Sequence, residues 1–564
     1  MENFKKNFDR WYTNPNLDPE LKIEMENMSI EERNDAFYTN IAFGTAGMRG
    51  KLGAGTNRLN IHTIRKANLG FTRYIRANGT DAMARGVVIA YDNRHKSKEF
   101  ALDCARMFAN NGIKSFIFSE LRPTPELSFT LRELGCFGGI VITASHNPKE
   151  YNGYKLYDEH GGQLIPSVAA KVIAEVDKIE DELEICVSDA DDEQIIFLGK
   201  DIDRLYFNSI KTIQFHPDQK KDIKIVFSPQ HGTSVMAVPY IFEECGYNTI
   251  LVESQCSVDP DFSNTITPNP EDPKAYIEAI KLAEKNNADL ILVCDPDADR
   301  MGVGIRHNGK YELLTGNQSG ALLLEYILSQ RKLNDNLPKN GVVFNTVVTG
   351  DLGEKICDYY QVELRKTLTG FKFIGEKIVE INKDHSKEYL FGYEESYGSL
   401  ISPFARDKDA QQACLMLAEA CAYYKNQNKS LYDVLFELYE LHGFYEESQF
   451  AITLDGEKGA LRIKEILDDL RKNPITSINN SEVVVREDYL SLKCYKDGKE
   501  SDLKGFTSSN VLKYILADGS WVAIRPSGTE PKCKFYFCTR AKNAELAAAN
   551  TLAMQNDIKK ITKI

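Results

Sequence analysis

Four short loops of this sequence concentrate hydroxyl, carboxylate and guanidinium side chains. The first is Thr143–Pro148 (TASHNP), in which Ser145 stands beside His146, and Lys155 follows a few residues later. A hydroxyl next to a potential base and a cation could act as a nucleophile or carry a phosphoryl group. The same serine could instead only hydrogen-bond a turn, and the hexapeptide by itself favours that structural role.

The second loop is Asp295–Arg300 (DPDADR), in which three aspartates alternate with small apolar residues. Alternate side chains of an extended or turning segment share a side, so Asp295, Asp297 and Asp299 can converge on one hard cation. Without a cation they would raise one another's pKa. Arg300 replaces the glycine of a calcium-binding loop and no acid stands at the twelfth position, so Mg²⁺ is favoured over calcium. A solvated acidic turn is the alternative.

The third loop is Gly392–Gly398 (GYEESYG), where Glu394 and Ser396 could hydrogen-bond vicinal hydroxyl groups of a sugar. By itself this loop indicates no more than an acidic turn. Its second carboxylate, Glu395, receives no role from the sequence.

The fourth loop is Arg525–Pro531 (RPSGTEP). Arginine offers a planar fork of donors, serine and threonine add hydroxyls, and a glycine turn can expose backbone N–H groups. A charged hairpin turn is the alternative, but this density of donors favours an anion site. The donors are Arg525, Ser527, Gly528 and Thr529.

Two further segments carry cations. Phe43–Gly50 (FGTAGMRG) places Arg49 between glycines, with a spacing that excludes a Walker A loop. Arg406–Asp409 (RDKD) offers Lys408, although mixed-charge turns of this kind usually lie at a solvated surface.

The elements that would position these loops are short β-branched runs bounded by turn residues. Runs of this length predict buried strands of a sheet covered on both faces. Helical patterns over Glu99–Asn111 and Asp272–Asn287 lie between them, and the alternation predicts βαβ units that bind ligands beyond the carboxyl ends of their strands. The predicted strands are Gly86–Ala90, Gly139–Ile142, Ile223–Phe227, Asp289–Val293 and Gly341–Phe344.

The last quarter of the chain has a different pattern. Strand-like runs dominate it, with helical patterns over Gly459–Arg471 and Ala544–Lys559, which predicts a separate α+β domain. We predict four domains, at residues 1–205, 206–322, 323–445 and 446–564. The strand-like runs are Glu482–Arg486, Ser491–Tyr495, Val511–Leu516, Ser520–Ile524 and Lys534–Thr539.

Composition limits the classes of function. The chain has 564 residues, too many for one core, and a hydrophobic fraction of 42%, which excludes a largely disordered protein. Lys and Arg total 69 against 82 Asp and Glu, so the net charge of −13 excludes a uniformly basic nucleic-acid binder. We find no apolar signal core and no apolar run that could span a membrane, and we expect a cytoplasmic protein with reduced cysteines.

Taken in this order, the four loops resemble those of the α-D-phosphohexomutase superfamily. The resemblance extends from Gly44 to Thr539. The chain length, the FGTAG segment and Thr369–Gly375 (TGFKFIG) are most similar to its long phosphoglucomutase branch.

The resemblance implies a fold of the α/β class. It comprises three similar α/β domains with mixed sheets and a smaller C-terminal α+β domain, TATA-binding-protein-like, around a central cleft. In chain order these domains would carry the phosphoserine loop, the metal loop, the sugar-binding loop and the phosphate-binding loop.

The resemblance also implies roles for single residues. Ser145 would be the phosphoserine, and its oxygen would join Asp295, Asp297 and Asp299 around one Mg²⁺. The implied catalytic residues are Ser145, His146, Lys155, Arg49, Arg300 and Lys408. The implied substrate-binding residues are Thr45, Phe371, Lys372, Glu394, Ser396, Arg525, Ser527, Gly528 and Thr529.

The implied reaction interconverts glucose 1-phosphate and glucose 6-phosphate through a phosphoserine enzyme, with glucose 1,6-bisphosphate as intermediate and activator. A phosphopentomutase, a phosphomannomutase or a glucose-1,6-bisphosphate synthase remains an alternative, as does a non-catalytic sugar-phosphate-binding protein. The expected partners are small sugar phosphates and neither nucleic acid nor membrane. The sequence leaves monomer and homodimer open.

Overall fold

The computed structural model describes residues 2–44, 47–188, 193–454, 456–526 and 532–564. The chain divides into two compact units. The first consists of Met1–Ser319 and Phe371–Leu431, and the second of Gly320–Gly370 and Tyr432–Ile564.

The first sheet of the first unit is mixed, with strand order β1-β5-β4-β2-β3-β6. Strands β2, β3, β4 and β6 run parallel, whereas β5 is antiparallel to both β4 and β1. The strands are β1 (Met48–Lys51), β2 (Val87–Tyr91), β3 (Ser115–Phe118), β4 (Gly138–Ile142), β5 (Tyr151–Asp158) and β6 (Ile195–Leu198).

Helices accompany this sheet, and apolar side chains fill the space on both of its faces. Ile89 and Ile140 pack into one buried cluster, while Val88 and Val141 pack into another, as successive side chains of a strand must. The helices are α1 (Glu2–Thr13), α2 (Pro19–Asn27), α3 (Ile30–Phe37), α4 (Ile61–Ala77), α5 (Thr80–Arg85), α6 (Ser97–Asn110), α7 (Thr124–Glu133), α8 (Pro166–Val176) and α9 (Lys200–Lys211).

The second sheet of this unit is also mixed, with strand order β11-β10-β9-β7-β8. Strand β7 is parallel to β8 and β9, and β10 is antiparallel to its neighbours. Its elements are β7 (Lys224–Ser228), α10 (Ser234–Glu244), β8 (Asn248–Leu251), α11 (Ile277–Asn286), β9 (Leu290–Cys294), β10 (Met301–His307) and β11 (Lys310–Leu314).

The chain returns to the first unit at Phe371. Helix α15 is buried over most of its length and packs against α9, α10, β9 and β10, so this late segment supports the second sheet. The returning elements are α14 (Phe371–Asp384), β14 (Glu388–Tyr393), β15 (Ser399–Leu400) and α15 (Ala410–Lys425).

The second unit contains the parallel pair β12–β13 and an antiparallel sheet with strand order β16-β23-β22-β21-β18-β19-β20. Helices α17 and α18 pack against this sheet. The elements are α12 (Gly316–Leu333), whose first residues belong to the first unit, β12 (Gly341–Thr346), α13 (Leu352–Tyr360), β13 (Glu363–Thr367), α16 (Leu431–His442), β16 (Phe444–Thr453), α17 (Gly456–Lys472), β17 (Ser477–Ile478), β18 (Ser481–Asp488), β19 (Lys493–Lys496), β20 (Lys499–Asp502), β21 (Leu512–Leu516), β22 (Trp521–Pro526), β23 (Lys532–Ala541) and α18 (Ala544–Thr562).

The buried strands predicted from β-branched runs are all present, as β2, β4, β7, β9 and β12. The helix predicted over Asp272–Asn287 differs in its first turn. Pro273–Tyr276 form a 3-10 turn, with the Asp272 side chain accepting from Lys274 N at 2.9 Å, and the α-helix starts only at Ile277. The proline and the aspartate cap favour this tighter start.

Candidate active site

Ser145 lies in the loop that follows β4. Its backbone N–H donates to Thr143 Oγ1 at 2.8 Å, and its φ of 52° lies in the left-handed region. The side chain is buried, and Oγ donates to Asp295 Oδ2 at 2.7 Å. The structure therefore joins the first and second of the polar loops through one hydrogen bond.

The aspartate loop begins directly after β9 and folds back on itself. Ala298 adopts a φ of 54°, and the backbone N–H groups of Asp299 and Arg300 donate to Asp295 Oδ1 at 3.1 and 3.0 Å. This turn buries Asp295, Asp297 and Asp299 and brings one oxygen of each within 4.8 Å of the others.

Two oxygens of this aspartate group are buried without a hydrogen-bond partner, Asp297 Oδ1 and Asp299 Oδ1. A buried carboxylate oxygen without a donor is costly. A hard cation would satisfy such oxygens, and carboxylate oxygens are the ligands that Mg²⁺ and Ca²⁺ prefer. The group is thus fitted to hold a metal ion.

Two lysines from distant segments neutralise part of the aspartate charge. Lys155 on β5 places Nζ 2.6 Å from Asp297 Oδ2 and 3.4 Å from Asp299 Oδ2, and Lys408 places Nζ 3.1 Å from Asp299 Oδ2. Burial opposes the charge of each lysine, but the neighbouring carboxylates raise the pKa of both. Both side chains are therefore cations at neutral pH.

The aspartates differ in their readiness to ionise. Burial, followed by the charges of Asp297 and Asp299, raises the pKa of Asp295 well above its usual value. Burial acts in the same direction on Asp299, but Lys408, Lys155 and Arg300 together lower its pKa. The divergence follows from position, because Asp299 lies beside the two lysines and Arg300, whereas burial and the other two carboxylates dominate at Asp295.

The remaining predicted catalytic residues lie in or beside the Ser145 loop and the aspartate loop. His146 Nδ1 lies 3.2 Å from Ser145 Oγ, and burial, Arg300 and Arg49 lower the histidine pKa well below its usual value, so the ring is neutral. Arg49 Nη1 donates to Asn147 Oδ1 at 3.0 Å, and Arg300 pairs with Glu271 at 2.7 Å.

Three residues that no motif singled out also support the site. Arg94 donates to backbone carbonyls of the Ser145 loop, Thr124 Oγ1 donates to Asp297 Oδ2 at 3.0 Å, and Glu271 holds Arg300. Arg94 follows β2, which lies next to β4 in the sheet. The sequence offered one signal for Arg94, a polar side chain just after a predicted strand. Neighbouring parallel strands end at the same edge of a sheet, so such a side chain is expected near the Ser145 loop.

The Gly392–Gly398 loop lies close to Lys408. Glu394 is buried, and its N–H donates to Gly398 O at 2.8 Å. A Cβ on Gly398 would lie 1.9 Å from Lys408 Cδ, so this glycine leaves the space that the lysine fills. Ser396 is half-buried, and Phe371 lies at the start of α14 with its ring centre 5.7 Å from Lys408 Nζ.

Lys372, next to Phe371, is buried in the first turn of α14. Arg525 lies in β22 of the second unit, where it pairs across the sheet with Lys534. The predicted substrate-binding residues Thr45, Ser527, Gly528 and Thr529 lie outside the described residues.

Comparison with known families gives four matches in chain order. They are phosphoglucomutase/phosphomannomutase alpha/beta/alpha domain I at residues 40–183, domain II at 204–309, domain III at 315–442 and the C-terminal domain at 476–553. A phosphoglucomutase of Staphylococcus aureus (strain MSSA476) is 38% identical over 95% of this chain and 98% of its own length. The chain belongs to the α-D-phosphohexomutase superfamily.

Two solved structures of this superfamily share the fold. Parafusin, a phosphoglucomutase from Paramecium in an open form, gives a TM-score of 0.65 at 19% identity and covers 93% of this chain and 96% of its own. The N-acetylphosphoglucosamine mutase of Aspergillus fumigatus, solved with GlcNAc-6P and magnesium, gives a TM-score of 0.52 at 12% identity. The match covers all of both chains.

These comparisons confirm the predicted family and the predicted fold class, three α/β domains followed by a C-terminal domain with an antiparallel sheet. The full-length relatives also confirm the prediction of a phosphoglucomutase-type intramolecular phosphotransferase. Among the described residues of this superfamily member, no helix combines the length and the apolar character needed to cross a membrane. The three domain boundaries drawn from the sequence stay a prediction.

Proposed function

We propose that this chain is a phosphoglucomutase that interconverts glucose 1-phosphate and glucose 6-phosphate through a phosphorylated Ser145. The observation that carries the proposal is the 2.7 Å contact from Ser145 Oγ to Asp295 within a buried group of three aspartates. The full-length phosphoglucomutase relatives support the choice of glucose phosphates. Glucose 1,6-bisphosphate would be the intermediate and the activator.

Asp295, Asp297, Asp299 and the Ser145 oxygen would hold Mg²⁺. The buried oxygens of Asp297 and Asp299 that accept no hydrogen bond support this assignment. When bound, the ion would neutralise negative charge on the phosphoryl oxygens.

The proposed reaction has two half-reactions. In the first, the bond from phosphorus to Ser145 Oγ breaks and a bond from phosphorus to the O6 hydroxyl of glucose 1-phosphate forms. The hydroxyl loses its proton, and the seryl oxygen regains one. In the second, the bisphosphate turns around, the bond from phosphorus to O1 breaks and a bond from phosphorus to Ser145 Oγ forms. The seryl hydroxyl loses its proton, O1 gains one, and glucose 6-phosphate leaves.

The buried cations have the task of stabilising charge. Phosphoryl transfer depends on positioning and on charge stabilisation more than on covalent chemistry by the protein. Lys155 and Lys408 remain protonated because the aspartates raise their pKa, so they act as fixed positive charges rather than as bases. Arg300 and Arg49 would complete this cationic shell.

His146 is suited to proton movement. Its ring is neutral because burial, Arg300 and Arg49 lower its pKa, and Nδ1 lies 3.2 Å from Ser145 Oγ. A neutral imidazole at that distance can hold the proton that passes to or from the seryl oxygen.

The substrate would be held by residues that stay predictions of the family resemblance. Glu394 and Ser396 would contact sugar hydroxyls, and Phe371 and Lys372 would set the preferred sugar. Arg525 would contact the phosphate that does not react, together with Thr45, Ser527, Gly528 and Thr529.

The test is an assay of the purified chain on glucose 1-phosphate, mannose 1-phosphate and ribose 1-phosphate, with Mg²⁺ and glucose 1,6-bisphosphate. We expect the highest kcat/KM on glucose 1-phosphate. A higher value on another sugar phosphate would overturn the substrate assignment.

Intact mass spectrometry tests the phosphoserine. We expect part of the wild-type chain to carry one phosphoryl group and Ser145→Ala to lack both this group and activity. Ser228→Ala is the matched control, because Ser228 is also buried at the end of a strand, β7, where its Oγ donates to Gln255 at 2.6 Å. Activity in Ser145→Ala would refute the mechanism.

A further inference from the structure

Arg94 binds the backbone of the Ser145 loop at three points and the first residue of β5 at a fourth. Its Nη2 donates to the carbonyl oxygens of Ser145 at 2.6 Å and Asn147 at 2.5 Å, and its Nη1 donates to those of Pro148 at 2.7 Å and Tyr151 at 2.9 Å. The side chain is completely buried. The loop is thus wrapped around one planar guanidinium group.

The guanidinium is itself fixed by its surroundings. Arg94 Nε lies 3.2 Å from Asp92 Oδ2, and Asp92 Oδ1 accepts from Arg94 N at 3.0 Å and from Ser97 Oγ at 2.7 Å. The ring of Phe262 lies 5.2 Å from the guanidinium carbon. The ion pair with Asp92 and the contact with the phenyl ring restrict rotation of the guanidinium group that donates to the four carbonyl oxygens.

Stability alone does not account for this arrangement. A buried ion pair pays a large desolvation cost, and apolar side chains of the same volume are often as stable or more so. Only arginine presents several N–H donors in one rigid plane, and the single ammonium of lysine cannot reach four carbonyl groups at once.

The contact to the Ser145 carbonyl bears directly on the reacting oxygen. Ser145 has a φ of 52°, a region that non-glycine residues rarely adopt unless their surroundings enforce it. Because the peptide bond is planar, fixing the Ser145 carbonyl also fixes the orientation of the peptide that leads into His146. Arg94 thereby restrains the backbone that carries Ser145 Oγ, the donor to Asp295.

We propose that Arg94 is a positioning residue for phosphoryl transfer, which holds the Ser145 loop so that the seryl oxygen faces the aspartate group. The inference rests on the proposed function of Ser145 as the phosphoryl carrier. The side chain of Arg94 is buried and donates to backbone carbonyls, so we expect its loss to lower the rate of transfer and to leave KM nearly unchanged.

The test compares Arg94→Lys with wild type in single-turnover experiments. The enzyme is first phosphorylated with radiolabelled glucose 1,6-bisphosphate, and transfer of the label to glucose 1-phosphate and to water is then followed. Rates are expressed per phosphorylated serine, so a smaller folded fraction does not change them. A displacement of about 1 Å at a reacting centre costs on the order of 10²-fold in rate.

Arg65→Lys is the matched control. Arg65 forms a comparable two-point pair with Asp103, at 2.9 and 2.7 Å, and this partner lies on α6, outside the Ser145 loop. We expect the control to transfer at the wild-type rate. Arg94→Lys should transfer to sugar about 10 to 100 times more slowly, with KM within about threefold of wild type and a larger share of label passing to water.

The outcomes separate this inference from the proposed function. A wild-type transfer rate per phosphorylated serine in Arg94→Lys would overturn the positioning role. The same conclusion would follow if Arg94→Lys and Arg65→Lys lowered this rate equally. A wild-type chain that accepts no phosphoryl group at Ser145 would instead overturn the proposed function. A change in KM alone would make Arg94 a determinant of sugar binding, and it too would overturn the inference.

Discussion

Substitution of Lys155 by methionine should destabilise the metal-free protein. Lys155 is almost completely buried, and its Nζ lies 2.6 Å from Asp297 Oδ2 and 3.4 Å from Asp299 Oδ2. Methionine fills the space of the lysine stem but carries no charge. Of the two lysines that contact the aspartates, only Lys408 then remains. Removing one partner of a buried ion pair costs about 3–5 kcal/mol, which we expect as the loss in free energy of unfolding.

Magnesium should restore more stability to the variant than to wild type. A ligand that binds only the folded protein raises the free energy of unfolding by about 2.7 kcal/mol when its concentration is 100 times its dissociation constant. An aspartate group with one fewer competing cation should bind Mg²⁺ more tightly, so its addition should raise the unfolding free energy further in Lys155→Met. Activity should nevertheless fall on the order of 10²-fold, because a cation facing the phosphoryl oxygens is missing.

The assay is urea unfolding, with EDTA and with Mg²⁺. Lys366→Met is the matched control, because Lys366 pairs with Asp351 at 2.9 Å and Glu354 at 3.2 Å in the second unit, two acids that stand outside the aspartate group. The control should lose stability without a larger gain from magnesium. An equal magnesium-dependent gain in wild type and Lys155→Met would refute the reasoning from charge balance.

Three further substitutions have defined outcomes. Gly398→Ala puts a Cβ 1.9 Å from Lys408 Cδ, so the lysine must move away from the aspartates. We expect kcat to fall on the order of 10²-fold in steady-state assays, and an unchanged kcat would contradict this. Burial raises the pKa of Asp409 to about 6, so wild-type stability should fall as pH rises from about 4 to 6. Urea unfolding of Asp409→Asn should lack this slope, and equal slopes would disprove the cause. Trp521→Phe removes the 2.7 Å bond to Asp351 and should cost about 1.5–3 kcal/mol in denaturant unfolding, so no measurable loss would count against that bond.

The parts of the site that the sequence predicted are local in the chain. Ser145 follows β4 and the aspartate loop follows β9, and both strands were visible as short β-branched runs. The ends of these runs therefore sufficed to locate the chemistry. Lys408 is a contrast, because its mixed-charge turn indicated solvated surface, whereas its side chain is only 12% exposed and contacts Asp299.

The parts that the sequence missed depend on contacts between distant segments. Arg94 binds a carbonyl 51 positions away, and Thr124 binds an aspartate 173 positions away. A backbone carbonyl carries no side-chain identity, so the sequence cannot show that it accepts a hydrogen bond from Arg94. The helices α1–α3 were likewise not singled out, although their side chains, among them Trp11, Met25 and Phe37, form most of one buried cluster.

The first unit closes only when the chain comes back to it. Lys408 and helix α15, which supports β9, belong to the second segment of this unit, residues 371–431. Residues 320–370, which precede that segment in the chain, belong to the other unit. A ribosome that has released residue 319 has therefore made the aspartate loop without the lysine and the helix that support it. We expect a nascent chain to acquire its phosphoryl group only after about residue 430 has emerged.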